Sequence, residues 1–382
     1  MTDDYTFAPF LEWRDRVDWY ADDPFLQRVL RHFAGDDFAA ADAAARRISP
    51  RVSGPWRRLA EEAARPEKRP SVLHYDGHGN RVDRIQRPGE TELLESEIFS
   101  LGLFSDATPP WSRLIQLLLI YQNGEACIAC PLVCTEGLIA LLERFADRDE
   151  IRAILAHCKE GRGGRFGIGA QYLSEIQGGS DVPANVVEAV PDGDAWRLFG
   201  QKFFCSATHA DYAVVTARPR GSDKVGIFVM DSWADRDGER RNGCTVDRIK
   251  WKMGTSELTT AEITLDGALA YPLGPLDRGV ANVTGIVLTT SRLTVGLSSA
   301  ANMLRAVREA RAYAEFREAF GQPVGQFPLV TGQLRALEHR ARATLAGAFS
   351  IYRDVLQLPG GFQGGLAGDA PDALRRQRLR VR

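Results

Sequence analysis

Net charge is almost absent from this chain: 48 Lys and Arg stand against 50 Asp and Glu over 382 residues, leaving a formal −2 and a pI near 6.4. That balance excludes a global pull towards nucleic acid or an anionic membrane and leaves only local patches to argue from. Long apolar runs are missing too. Those present, such as Leu117 to Tyr121, are too short to span a bilayer. The opening MTDDYTFAPFLEWRDRV places acidic residues where a secretory signal would carry an uninterrupted apolar stretch. Cysteine is sparse: six in this length fit free thiols in a reducing compartment, so a cytoplasmic location is expected. What remains, 44% hydrophobic and 26% charged, is enough to bury two or three domain cores.

Helical periodicity comes first along the chain. Leu26, Val29, Leu30 and Phe33 share one face, an Ala-rich segment runs from Ala39 to Arg47, and another helix follows Pro55, with Pro50, Gly54 and Pro66 as punctuation. The stretch SVLHYDGHGNRVDRIQRPGE sets Asp76-Gly77 and Gly79-Asn80 turns between alternating segments and predicts a small hairpin near 70–90. Residues 91 to 160 read as helices, one opened by Pro109-Pro110. Cys127, Cys130 and Cys134 fall at helical spacing there; with His157 they could form a metal site, and as small buried hydrophobes they need none.

From about 165 to 275 the period changes to strand, in short runs bounded by Gly, Pro, Asp and Asn that suit a compact antiparallel barrel. After Pro275 it returns to helix, with long runs Val280 to Phe316 and Leu329 to Leu356. A Gly-rich linker, PGGFQGGLAGDAP, and a basic end holding Arg375, Arg376, Arg378, Arg380 and Arg382 follow. The expected class is therefore α+β: an N-terminal helical domain over 1–164, a middle β-barrel over 165–275, and a C-terminal helical bundle over 276–382 that is incomplete, with two long helices.

The chemistry is concentrated between Gly167 and Ser206. Gly178 and Gly179 free the backbone to turn its N–H groups beside the Ser180 hydroxyl, an arrangement suited to a phosphate or to a plain hairpin end. Four stretches occur in order: Tyr172-Leu173-Ser174-Glu175 with Gly178-Gly179-Ser180-Asp181; Gly200-Gln201-Lys202-Phe203-Phe204 with Ser206; Lys252-Met253-Gly254 with Ala261 to Leu265; and Arg317, Phe320 and Gly321. Together they resemble the acyl-CoA dehydrogenase flavoprotein family. The run Leu73-His74-Tyr75-Asp76, Gly79, Arg81-Val82-Asp83 resembles its AidB-like, alkylation-response branch.

The resemblance implies FAD as cofactor. Leu173 and Ser174 would run along the flavin, Ser180 would face the pyrophosphate or the acyl-CoA entrance, and Phe204 would lie against the ring where a tryptophan is usual. Ser206 would replace the threonine whose hydroxyl reaches the reactive flavin edge. Arg317, with Phe320 after it, would reach the FAD pyrophosphate of a neighbouring subunit, implying a homo-oligomer, dimer or tetramer. Ser291 and Arg292 would line the acyl-CoA site, at the place where a minority of members carry the catalytic glutamate. Ser291 is no carboxylate, and the more usual glutamate lies in a part of the bundle beyond this sequence, so the chain is expected to be a C-terminally truncated member with no assigned base. Glu309, Glu315 and Glu318 read as solvent-facing charge. The implied activity is α,β-dehydrogenation of an acyl-CoA thioester. The alternative is an AidB-like protein that binds and protects DNA, for which the basic end is either a contact or merely the polar face of a helix.

Overall fold

A computed structural model describes residues 6–161, 166–237 and 239–358. In chain order its elements are helices α1 (Ala8–Arg16), α2 (Pro24–Ala34), α3 (Phe38–Ser53) and α4 (Pro55–Ala63); strands β1 (Ser71–Tyr75) and β2 (Arg81–Gln86); and helices α5 (Gly89–Phe99), α6 (Pro110–Tyr121), α7 (Ala129–Arg144) and α8 (Asp149–Glu160). Next come β3 (Gly169–Tyr172), β4 (Glu188–Asp192), β5 (Ala195–Ser206), β6 (Tyr212–Pro219), β7 (Gly226–Asp231), β8 (Trp233–Asp235), β9 (Arg240–Arg241), β10 (Cys244–Ile249) and β11 (Thr260–Pro272). The last are α9 (Gly279–Asn282), a π-helical turn (Val283–Val287), α10 (Leu288–Phe316), β12 (Glu318–Ala319), β13 (Gln322–Pro323) and α11 (Pro328–Leu356). The Gly-rich linker and the arginines from Arg375 onward lie outside the described residues.

The chain divides into two compact units, one from Met1–Ala60, Ala107–Cys127 and Leu293–Asp354, the other from Glu61–Asp106, Ile128–Arg292 and Val355–Arg382. The first is helical and packs around buried Trp19, Tyr20, Leu30, Ile48, Val52 and Trp56. Tyr20 donates its phenolic hydrogen to Asp42 at 2.6 Å, so its polar end is satisfied while its ring is buried. Trp111 packs with Phe349 and Tyr352 at centroid distances of 5.9 and 5.4 Å, and the Tyr352 hydroxyl donates to the Pro110 carbonyl at 3.0 Å. Pro50 does not punctuate as expected: it lies inside α3, near enough to the end that only one ladder bond is forgone, and Gly54 ends the helix. A Cβ at 54 would approach the Pro50 carbonyl oxygen to 2.8 Å.

The second unit holds the barrel. Strands β11, β5, β4, β6 and β7 pair in that order and β7 returns to β11, so the sheet closes on itself, with β10 added on β11 and β3 on β6. Closure removes the edges along which the five strands could pair with other chains. The expected antiparallel order is corrected at two places, since β4 and β3 both run parallel to β6. Neither is joined to β6 by a hairpin, so nothing local demands opposite directions.

β1 and β2 form the expected hairpin. Asp76 closes its turn by accepting from the His78 and Asn80 backbone N–H groups at 2.8 and 2.9 Å. Asp83, buried with φ 44°, accepts from His74 Nδ1 at 2.7 Å, from Arg81 Nε at 3.0 Å and from the Val246 N–H at 2.9 Å, which ties the hairpin to β10.

The run from Val280 is not one regular helix: the π turn at Val283–Val287 interrupts it. The whole stretch Leu276–Phe316 is long and apolar enough, by length and composition, to cross a membrane. Counting uninterrupted apolar runs missed this because Thr, Ser and Gly are interspersed throughout it.

Candidate functional site

The turn at 175–178 is a tight reversal: Glu175 and Gly178 exchange backbone hydrogen bonds of 3.3 and 3.0 Å, with Gly178 at φ 140°. A Cβ at 179 would lie 2.4 Å from Ser174 Oγ, so Gly179 lets the Ser174 hydroxyl close over the turn. Ser180 is exposed, and Leu173 and Ser174 are half-buried.

Beneath this turn is a polar network that sequence reasoning left without a role. Lys202 Nζ donates to Glu175 Oε1 at 2.7 Å, and the two side chains are 0% and 2% exposed. Lys202 also donates to Thr216 Oγ1 at 3.1 Å, while the Glu175 carboxylate accepts from the Val186 and Val187 N–H groups at 2.7 and 3.2 Å. Asn185 Nδ2 donates to the Leu173 carbonyl at 2.8 Å and to Thr216 Oγ1 at 2.7 Å. Burial pushes the Glu175 carboxyl up, but the Lys202 ammonium and these donors override it and hold it below its usual range. Burial lowers Lys202, with Glu175 opposing. The network joins the two segments that carry Leu173 and Ser174 on one side and Phe204 and Ser206 on the other. Glu175 and Lys202 stand within the matched motifs, which was the available signal.

Phe203 and Phe204 are consecutive on β5 and so point to opposite faces. Lys250 Nζ lies 3.3 Å from the Phe203 ring centroid. Phe204 is 45% exposed, an unusually open large aromatic for a barrel strand. Two residues on, Ser206 Oγ is 3.1 Å from Thr260 Oγ1, which accepts from Lys252 Nζ at 2.8 Å. Lys252 thus fixes one side of the Thr260 hydroxyl and orients the pair.

The same unit holds a second polar cluster with no signal in the sequence. Glu95, buried on α5, is gripped by both nitrogens of the Arg87 fork at 2.8 and 2.7 Å and meets His209 Nε2 at 2.8 Å, while His209 Nδ1 meets Thr259 Oγ1 at 2.8 Å. Burial would raise the Glu95 carboxyl; the charge and hydrogen bond of His209, then those of Arg87, bring it to about 2.

Ser291 and Arg292 lie on α10. The buried Ser291 hydroxyl has no hydrogen-bond partner among the described residues. In the other unit Arg317 is exposed, its N–H donating to the Tyr313 carbonyl at 2.8 Å and its carbonyl accepting from the Val324 N–H at 2.7 Å. Phe320 stands in a left-handed turn (φ 52°) and is 97% exposed. Glu309 is not the solvent-facing charge expected: Arg305 holds it at 2.7 Å and Arg14 at 3.5 Å.

The metal-site spacing is corrected too. Cys127 ends a 3-10 turn and Ile128 follows at φ 54°, so only Cys130 and Cys134 share α7. Among the described residues no three His, Cys, Asp or Glu side chains form a group that could hold a metal ion.

Two family models match: "Acyl-CoA dehydrogenase, middle domain" over residues 170–268 and "Acyl-CoA dehydrogenase, C-terminal domain" over 277–356. The chain is 28% identical over 369 residues to acyl-CoA dehydrogenase family member 11 of Caenorhabditis elegans, covering 87% of this chain and 57% of the relative. It is 27% identical to the putative acyl-CoA dehydrogenase AidB of Escherichia coli, covering 74% and 54%. It thus spans little more than half the length of these relatives. The crystal structure of C. elegans ACDH-11 in complex with C11-CoA superposes with a TM-score of 0.85 at 26% identity, over 95% of this chain and 63% of that one.

Proposed function

Since the chain belongs to the acyl-CoA dehydrogenase family through its middle and C-terminal domains, we propose that it binds FAD and acts as an oxidoreductase on the CH–CH group of an acyl-CoA thioester. Members of this family bind FAD. The observation that carries the reading here is Phe204, 45% exposed on β5, with the oriented Ser206 hydroxyl two residues on. An open aromatic face offers a flavin ring a surface to stack on, and a hydroxyl held by its neighbours offers a hydrogen bond to the ring's edge. The orphaned Ser291 hydroxyl is a further donor in want of a ligand.

FAD, when bound, would supply the acceptor for a hydride from the substrate's β-carbon. Leu173 and Ser174 would lie along its ring, Phe204 would cover it, Ser206 would donate to it, and Ser180 would face the pyrophosphate or the acyl-CoA entrance. Ser291 and Arg292 would contact the acyl-CoA. Removal of the α-proton needs a carboxylate close to it, and Ser291 supplies none. The domain order proposed with this reading is a helical domain with a small hairpin near 70–90 over 1–164, a flavin-binding barrel over 165–275 and a partial helical bundle over 276–382, of which 359–382 lie outside the described residues.

A homo-oligomer in a reducing, cytoplasmic compartment is part of the same proposal. Phe320, at 97% exposure beside Arg317, is an aromatic that a neighbouring subunit would cover, and all six cysteines are free thiols. The Arg317 guanidinium would then fork onto that subunit's FAD pyrophosphate.

Titration of the flavin-free protein with FAD is expected to give a non-covalent, yellow complex at micromolar concentration. Arg317→Ala is expected to weaken it by about 1.5–3 kcal/mol, the scale of a charge-assisted hydrogen bond. A protein that takes up no FAD would sink the proposal. Adding acyl-CoAs and duplex DNA separately to the yellow complex then distinguishes the chemistry: bleaching of the flavin band by an acyl-CoA supports dehydrogenation.

A further inference from the structure

Cys130 and Cys134 belong to no part of the proposed flavin site, yet their sulfurs stand 3.7 Å apart one turn along α7. Cys130 is the second residue of the helix and half-buried, while Cys134 is 8% exposed beneath it. A separation this short has two chemical uses, and the helix argues against one of them. Residues four apart on a helix hold their Cβ atoms roughly 5–6 Å apart, whereas a disulfide needs about 3.5–4.5 Å, so direct oxidation would have to open the turn. A bridging atom needs no such movement. A thiophilic centre bound through two sulfurs at about 2.3 Å, with angles from the roughly 95–100° of a pyramidal lone-pair centre up to the tetrahedral value, sets its sulfurs about 3.4–3.8 Å apart.

The identity of that centre follows from the number of ligands. A structural zinc ion takes four protein ligands, and among the described residues no group of even three ligating side chains exists. A monosubstituted trivalent arsenic needs only two sulfurs, its third bond being to its own carbon. We propose that Cys130 and Cys134 form a vicinal dithiol site for trivalent organoarsenicals. With phenylarsine oxide, two S–H bonds and the As=O bond break, two S–As bonds form, and the oxygen leaves as water with both thiol protons. No oxidation state changes. Cys130, one of the two thiols that give up a proton, lies in the first turn of α7, where the helix dipole favours developing negative charge.

Burial pushes Cys127 up to about 12 and Cys244 up to about 11, and it raises Cys158 and Cys205 above their ordinary value. Occupation of the pair also has a route into the barrel. The Cys134 carbonyl accepts from Gln171 Nε2 at 3.4 Å, and Thr135 Oγ1 accepts from the Gly169 N–H at 2.9 Å, so α7 is fastened to β3 at the residues beside the bridge.

The test is titration of the full chain with phenylarsine oxide, read by intact mass. The wild type is expected to take one equivalent that survives excess monothiol and is released by a competing dithiol. Because the second S–As bond is intramolecular, Cys130→Ser and Cys134→Ser are each expected to weaken retention by about 100-fold or more, and Cys127→Ser and Cys244→Ser to leave it unchanged. Proteolytic mapping of the wild-type adduct, which needs no variant to fold, should place it on the peptide holding both residues. No retained adduct, or one mapped to another cysteine, overturns the proposal. It does not depend on flavin binding, and flavin-free protein serves equally well.

Discussion

Lys202→Met is expected to lower the unfolding free energy by about 3–5 kcal/mol, because it leaves the Glu175 carboxylate buried without its cation. Lys202 and Glu175 are 0% and 2% exposed and 2.7 Å apart, so water cannot replace the lost partner as it would at the surface. The double variant Glu175→Gln with Lys202→Met is expected to recover more than half of the loss. Glutamine keeps an oxygen for the Val186 and Val187 N–H groups while removing the stranded charge. Urea denaturation of the three proteins decides this. A loss below about 1 kcal/mol for Lys202→Met would mean that the barrel admits water or that the carboxyl takes up a proton cheaply. The same variant also loosens the tie between the Leu173–Ser174 segment and β5, so FAD affinity should fall with it.

Glu95→Gln is expected to cost about 3 kcal/mol at neutral pH and close to nothing near pH 2. The folded protein holds the Glu95 carboxyl at about 2 against an ordinary 4.5, and each unit of such a shift is worth about 1.4 kcal/mol. A depressed carboxyl stabilises fully above the unfolded value, and its contribution is lost as pH falls from 4.5 towards 2. Arg87 and His209 are the groups that face it, and they supply the stabilisation that disappears. Stability curves of wild type and variant should therefore converge on acidification. Parallel curves down to pH 2 would show that the cluster contributes nothing through its charge.

What the sequence made legible was local. The hairpin at β1 and β2 was announced by its Asp-Gly and Gly-Asn turns, and the change from helical to strand period marked the barrel. Closure of that barrel was not legible, since it depends on β11 pairing with both β5 and β7, and no short-range pattern encodes a strand's second neighbour. Pro50 misled because a proline's effect depends on where in the helix its missing N–H falls. The site divides in the same way. Ser174, Phe204 and Ser206 stand inside motifs, and so do Glu175 and Lys202, but the contact between the last two spans 27 positions and appears only on folding. Glu95 meets His209 across 114 positions, with no motif at either end.

The double pairing of β11 has a consequence during synthesis. Ser206 on β5 faces Thr260 on β11, 54 positions later, and a ribosome working at 5–20 residues per second needs roughly 3–10 s to cover that distance. For that interval β5 emerges with one hydrogen-bonding edge bare, and the half-made barrel cannot close. Phe199 and Phe204, still partly open to solvent after folding, then sit on an unprotected strand. A translational pause between 206 and 260 would lengthen this window, whereas one placed after 272 would let the nascent barrel seal before the long helices follow.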